Sequence, residues 1–205
     1  MPKIVDHQKQ KEKVAQAVWK VILKSGIEKA TVRNIAEEAN LSVSTMRHYF
    51  TNQSELLYFS MELIIERMEE RIKNRVQQFE GSPFDAAKRI VLFFIPSNEE
   101  EHMELQVWLS FNAKALSNNE MRKLIDKMYM DMYKGMEWAL HILKESKWLK
   151  SEVDMKLEID RLYGLVDGLA IHRILKPDIL TPEDIEMIIS HHLKELCKEE
   201  FENRV

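Results

Sequence analysis

Between Ser42 and His48 the chain sets Ser42, Ser44, Thr45, Arg47 and His48 around only two apolar residues, Val43 and Met46. Short hydroxyls, a guanidinium and an imidazole on one short segment are groups for recognising phosphates and base edges. Arg47 can pair with a guanine edge through two hydrogen bonds or hold a phosphate, and the hydroxyls serve either target. Catalytic patterns are missing. There is no glycine-rich phosphate loop, no H-E-x-x-H, and no nucleophile motif around Cys197. His191 and His192 are adjacent, so on a helix they diverge by about 100° and do not form a metal pair. The expectation is a protein that is not an enzyme and needs no cofactor or metal.

Two short helices must present these groups. Thr31 can cap VRNIAEEA, Asn40-Leu41-Ser42 interrupts it, and VSTMRHYF follows. Small Ala36 and Ala39 allow close packing at the joint, which is the arrangement of a helix-turn-helix over residues 31–50. The second helix would enter the major groove, its N-terminal N–H groups aimed at anions. Asn40 tolerates the left-handed conformation that such a turn needs. The rival reading is a helical adaptor that binds protein and not DNA, because short helix-turn-helix units also serve as packing elements.

Thr31, Ile35, Ala36, Ala39, Leu41-Ser42, Tyr49-Phe50 and Glu55-Leu56-Leu57 stand in an order that resembles the N-terminal domain of tetracycline-repressor (TetR) family regulators. The resemblance implies a ligand-responsive repressor that binds a palindromic operator in double-stranded DNA as a dimer. It also implies that His48 and Tyr49 lie near phosphates, and that Thr31 and Arg33 face the backbone. DGLAIHRIL at 167–175, with the RHYF at 47–50, is most similar to the betaine-pathway repressor branch. Asn40, Ser44, Arg47 and Gln53 replace the family's frequent glycine, glycine, tyrosine and lysine. Readout by Arg47 therefore cannot be carried over from relatives, and one phosphate contact is expected to be lost at Gln53.

Around this motif the composition favours helix. The 205 residues include only five glycines and five prolines, and 31% are charged. An all-α fold of about nine helices is expected: a three-helix DNA-binding domain over residues 1–51, and a helical ligand-binding and dimerisation domain over 52–205. The net charge of −4 is uneven, with nine Lys/Arg against five Asp/Glu in residues 1–50 and 21 against 29 beyond. The basic stretch Lys3 to Lys13 is either a solvated end or a phosphate-touching arm. A single cysteine and the absence of a signal-peptide pattern suggest the cytoplasm. The run IVLFFIP at 90–96 is too short to span a bilayer and is expected at a buried helix centre, with no membrane partner.

In the second domain Met121, Ile125, Met128, Met132, Met136, Ala139 and Leu143 follow one helical stripe. Such a stripe suits a plain core, yet methionine also adapts to varied apolar ligands. With the family resemblance, a partly apolar effector pocket is expected. Its lining would draw Phe94, Met103, Trp108, Phe111 and Asn112 from one stretch, and Met128, Met132, Tyr133 and Met136 from the next. Asp167 and His172 would add polar groups. For the homodimer, the stripe Ile185, Ile188, Ile189, His192, Leu193 and Leu196 is expected to pair across a two-fold axis. Gly164 and Gly168 would mark the close approach of a neighbouring backbone.

Overall fold

The computed structural model describes residues 7–76, 81–116 and 118–202. The opening residues of the basic arm lie outside the described residues. Helix α1 (His7–Ser25) ends at Gly26, whose φ of 83° breaks the helix, and a 3-10 turn (Ile27–Lys29) follows. Then come α2 (Val32–Glu38), α3 (Val43–Tyr49), α4 (Gln53–Val76), α5 (Pro83–Leu92) and α6 (Glu99–Ala115). The chain closes with α7 (Asn119–Glu145), α8 (Met155–Leu175), α9 (Pro182–Leu196) and the single turn α10 (Glu199–Glu202). There are no strands among the described residues, only an isolated bridge between Leu149 and Cys197. The expected all-α fold of about nine helices is what forms.

Capping residues start the helices. Ser82 with Asp85 and Thr181 with Asp184 each make a reciprocal capping box, and each is followed by proline at the first helical position. The start of α4 is different. Asn52 Oδ1 accepts from the Glu55 amide, as a cap should, but the Glu55 carboxylate accepts from the Thr51 amide and hydroxyl, each at 2.7 Å. Those two bonds hold the Glu55 carboxyl below its ordinary range. The apolar run at 90–96 is a helix end and not a helix centre. Helix α5 stops at Leu92, and a turn carries Phe93 and Phe94 to the buried Ile95.

The chain divides into two compact units. The first joins residues 1–69 with 99–127, and the second joins 70–98 with 128–205. In the first unit α6 packs on α1 and on the 3-10 turn, and Lys114 Nζ lies 3.0 Å from Glu28. Trp19 and Ile35, with Met46, Leu56 and Phe111, form the dry centre of this unit. Trp19 Nε1 donates to the Ser60 carbonyl at 3.0 Å, and the Arg67 guanidinium covers its ring at 4.9 Å. The second unit buries Phe84, Ile90, Met136, Leu140, Leu162, Val166, Ile189 and Leu193 in one cluster. Each such side chain contributes roughly 1.5–3 kcal/mol by leaving water.

Gly135, inside α7, has a specific neighbour. A Cβ there would lie 2.4 Å from the tip of the Phe94 ring, so the missing side chain is the slot that the ring occupies. No helix among the described residues is long and apolar enough to cross a membrane.

Candidate nucleic-acid interface

The turn between α2 and α3 is built by backbone chemistry. Asn40 takes φ 56°, its amide donates to the Glu37 carbonyl, and the Leu41 amide reaches back to Ala36 at 2.8 Å. This pair of bonds is a Schellman motif, with asparagine in the left-handed position that glycine fills most often. Asn40→Gly is expected to leave melting unchanged or raise it. Asn40→Val, β-branched at positive φ, should cost about 1–2 kcal/mol and weaken DNA binding in parallel, measured by thermal melting and duplex titration.

Helix α3 is held from below. Met46 is fully buried and Phe50 nearly so, with the Phe50 ring 5.4 Å from Phe59. Lys11 Nζ stands 5.5 Å from both ring centres, which gives one residue of the N-terminal basic segment a packing role. Gln53 Nε2 donates to the Ala30 carbonyl at 2.7 Å, clamping the head of α4 to the residue before α2's cap. Where a phosphate-binding lysine was missed, a structural bond stands instead.

The opposite face of α3 is open. Ser44, Arg47 and His48 are exposed, as is Arg33 on α2, and no hydrogen bond or ion pair within the described residues engages their side chains. Thr31, Ser42 and Thr45 are partly committed. Thr31 Oγ1 accepts from the Asn34 amide, Ser42 Oγ accepts from the Thr45 amide at 3.0 Å, and the two hydroxyls of Ser42 and Thr45 lie 2.8 Å apart. Tyr49 is half-buried. Cations on a fixed helix face, with capping hydroxyls at its start, form a surface that can read a groove.

The expected effector residues fall into two groups. In the first unit Trp108 and Phe111 are buried with ring centroids 5.8 Å apart, and Met103 and Asn112 are half-buried. Asn112 Oδ1 is buried without a hydrogen-bond partner. In the second unit Met132 and Met136 are core, while Phe94, Met128 and Tyr133 are half-buried. Asp167 and His172 do not join them: both stand on the exposed side of α8, in register with Gly164, Gly168 and Ile171. They were expected on an apolar face because the helix alternates faces every few residues, and only packing shows which face is turned inward. No group of three or more potential metal ligands occurs among the described residues.

Residues 16–58 match the model of the bacterial regulatory proteins of the tetR family, and residues 83–198 match the C-terminal domain of BetI-type transcriptional repressors. The chain belongs to the TetR family. The HTH-type transcriptional regulator PksA of Bacillus subtilis (strain 168) is 40% identical over 200 residues, 98% of this chain and 96% of that one. The regulator BetI of Vibrio campbellii is 24% identical over 197 residues, 94% of each chain. Among solved structures, a transcriptional regulator from Saccharomonospora viridis in complex with choline has a TM-score of 0.83 at 16% identity, covering 94% of this chain and 100% of that one. This TetR-family protein is a DNA-binding transcriptional regulator.

Most of the apolar stripe expected at the dimer surface of this regulator is buried within its own chain. Ile185, Ile189, Leu193 and Leu196 are at most 8% exposed and belong to the core of their own chain, where α9 packs on α5. An apolar stripe at helical spacing reports a buried face, not whose face covers it. Ile188 and Gly164 are exposed, and Gly168 is half-buried. A Cβ at either glycine would meet nothing within 4 Å in this chain, so no helix of the same chain makes the close approach expected there. Sequence reasoning passed over the companions of these residues: Leu157, Ile171, Leu175, Ile179 and Met187 are between 38% and 73% exposed. The signal was present, since 164, 168, 171 and 175 recur at three- and four-residue steps, with 157 two turns earlier on the same face.

His192 is also mostly buried. Its Nε2 lies 3.8 Å from Glu158 Oε2, while Arg161 donates to the other Glu158 oxygen at 2.7 Å. Burial pushes the imidazole below its ordinary value, opposed by Glu158 and reinforced by Arg161 and His191. The folded value lies below the unfolded one. Native and unfolded states are therefore equally neutral above pH 7, and stability falls as pH drops through the unfolded value near 6.5. His192→Gln should flatten that acid limb in melting curves recorded between pH 8 and 5.

Proposed function

We propose that two copies of this regulator pair through the exposed apolar stripe of α8 and α9 and bind a palindromic operator. The exposed, uncommitted Ser44, Arg47 and His48 on α3 carry the reading. Each copy places one α3 in the major groove, with half-sites about 34 Å apart. Arg47, Ser44 and His48 read base edges, while Arg33, Tyr49 and the capping hydroxyls of Thr31, Ser42 and Thr45 meet the backbone. Gly164, Gly168, Ile171, Leu175, Met187 and Ile188 form the homodimer surface.

The effector is a partly apolar small molecule. Trp108, Phe111, Met103 and Asn112 of the first unit supply its lining, and Asn112 Oδ1, buried without a partner, orients it. An effector that prefers the DNA-incompetent arrangement by about 1–3 kcal/mol lowers operator affinity by up to about 5- to 150-fold. The regulator acts in the cytoplasm, without enzymatic activity and without a membrane partner. Selection from random duplexes should return a two-fold symmetric site, bound with steep salt dependence, and sedimentation should give a dimer. Thermal shifts against choline and a metabolite library should find a stabilising compound that releases the duplex. Failure to retain any duplex would favour the protein-binding adaptor.

A further inference from the structure

Beside the helix-turn-helix lies a pocket of about 460 Å3, lined by Thr51, Asn52, Ser54, Glu55, Tyr58 and Lys123. Five of the six come from the segment that follows α3 directly. The sixth is on α7, whose first nine residues belong to the same compact unit. The donors here differ in how far they are engaged. Thr51 and Asn52 hydrogen-bond within the cap of α4, and the Glu55 carboxylate is drawn to the Thr51 amide and hydroxyl. Lys11 adds an attraction that offsets the charge of Glu55. The side chains of Ser54, Tyr58 and Lys123 have no partner within the described residues. Two hydroxyls and an ammonium therefore remain uncommitted in the lining, while the Glu55 carboxylate is held by Thr51.

We propose that this pocket seats a backbone phosphate of the bound duplex, making Lys123 a DNA contact outside the helix-turn-helix. A phosphodiester supplies the acceptor oxygens that two hydroxyls and an ammonium require, and its negative charge finds the one cation there that no carboxylate holds. The duplex is the occupant favoured over a free anion because the pocket begins at Thr51, two residues after α3 ends. The consequence reaches past affinity. Lys123 shares a continuous helix with Met128, Met132 and Met136, so α7 itself carries both effector candidates and a DNA contact. The inference rests on the regulator binding DNA, and the test keeps the two apart.

The full-length protein is titrated with a random-sequence 30-base-pair duplex, and with a selected operator, from 50 to 200 mM salt. Wild-type binding with a steep salt slope establishes the DNA reading independently. Against it, Lys123→Ala should lower the slope of log K on log salt by about one. That difference amounts to about 3.5-fold in relative affinity across this salt range, equal for both duplexes. Lys123→Arg should restore it, and Tyr58→Phe should weaken binding to both duplexes without altering the slope. An unchanged slope and affinity for Lys123→Ala, with its melting temperature intact, would overturn the proposal. So would a loss confined to the operator, or saturable binding of inorganic phosphate that needs Lys123 while the DNA slope stays at its wild-type value.

Discussion

Ile171→Glu should convert the dimer to a monomer and abolish tight operator binding while leaving each chain folded. Ile171 is 38% exposed in the single chain, between Gly168 and Leu175 on the open face of α8, so the carboxylate meets water there and costs little. In the dimer the two-fold axis brings the substitution in twice. Each buried unpaired charge costs several kcal/mol. At about 2 kcal/mol per copy the dimer constant weakens on the order of a thousandfold. Operator binding falls further, because the second half-site is then no longer delivered at high effective concentration. Sedimentation and duplex titration at one protein concentration measure both effects. Ile189→Glu is the contrast: that side chain is fully buried in its own chain and its replacement should prevent folding. A dimer that survives Ile171→Glu unchanged would remove α8 from the interface.

Arg47→Ala is expected to cost 5- to 150-fold in affinity for the selected operator, about 1–3 kcal/mol, with far-UV circular dichroism unchanged. The Arg47 side chain is exposed and engages no partner within the described residues, so nothing in the fold depends on it. Arg47→Lys tells pairing from mere charge, because an ammonium cannot reproduce the two-pronged geometry of a guanidinium on guanine. Affinity lost equally for operator and random duplex, with a slope lowered by one, would assign Arg47 to phosphate instead of base.

Local signals were the most legible. Thr31 announced its helix because capping involves residues three apart and needs no distant partner, and the pairs Ser82 with Asp85 and Thr181 with Asp184 obey the same local rule. Asn40 marked the turn for a similar reason, since few residues adopt positive φ. The roles of Gln53 and Lys11 were not legible. A bond across 23 residues to the Ala30 carbonyl, or a lysine laid over Phe50 and Phe59, leaves no trace in spacing. Gly135 was equally silent until the Phe94 ring was seen to fill its place.

By itself the order of residues determined an all-helical chain with a helix-turn-helix at 31–50, because caps, turn residues and hydrophobic period act over one or two turns of backbone. It also marked α9 as a helix with an apolar stripe. Only tertiary structure decided which stripe is spent inside. Ile185, Ile189 and Leu193 are buried within their own chain, while Leu157, Ile171 and Met187 are left to solvent. Burial belongs to whichever surfaces meet, and two apolar faces of one helix cannot be ranked until the neighbouring helix has chosen between them.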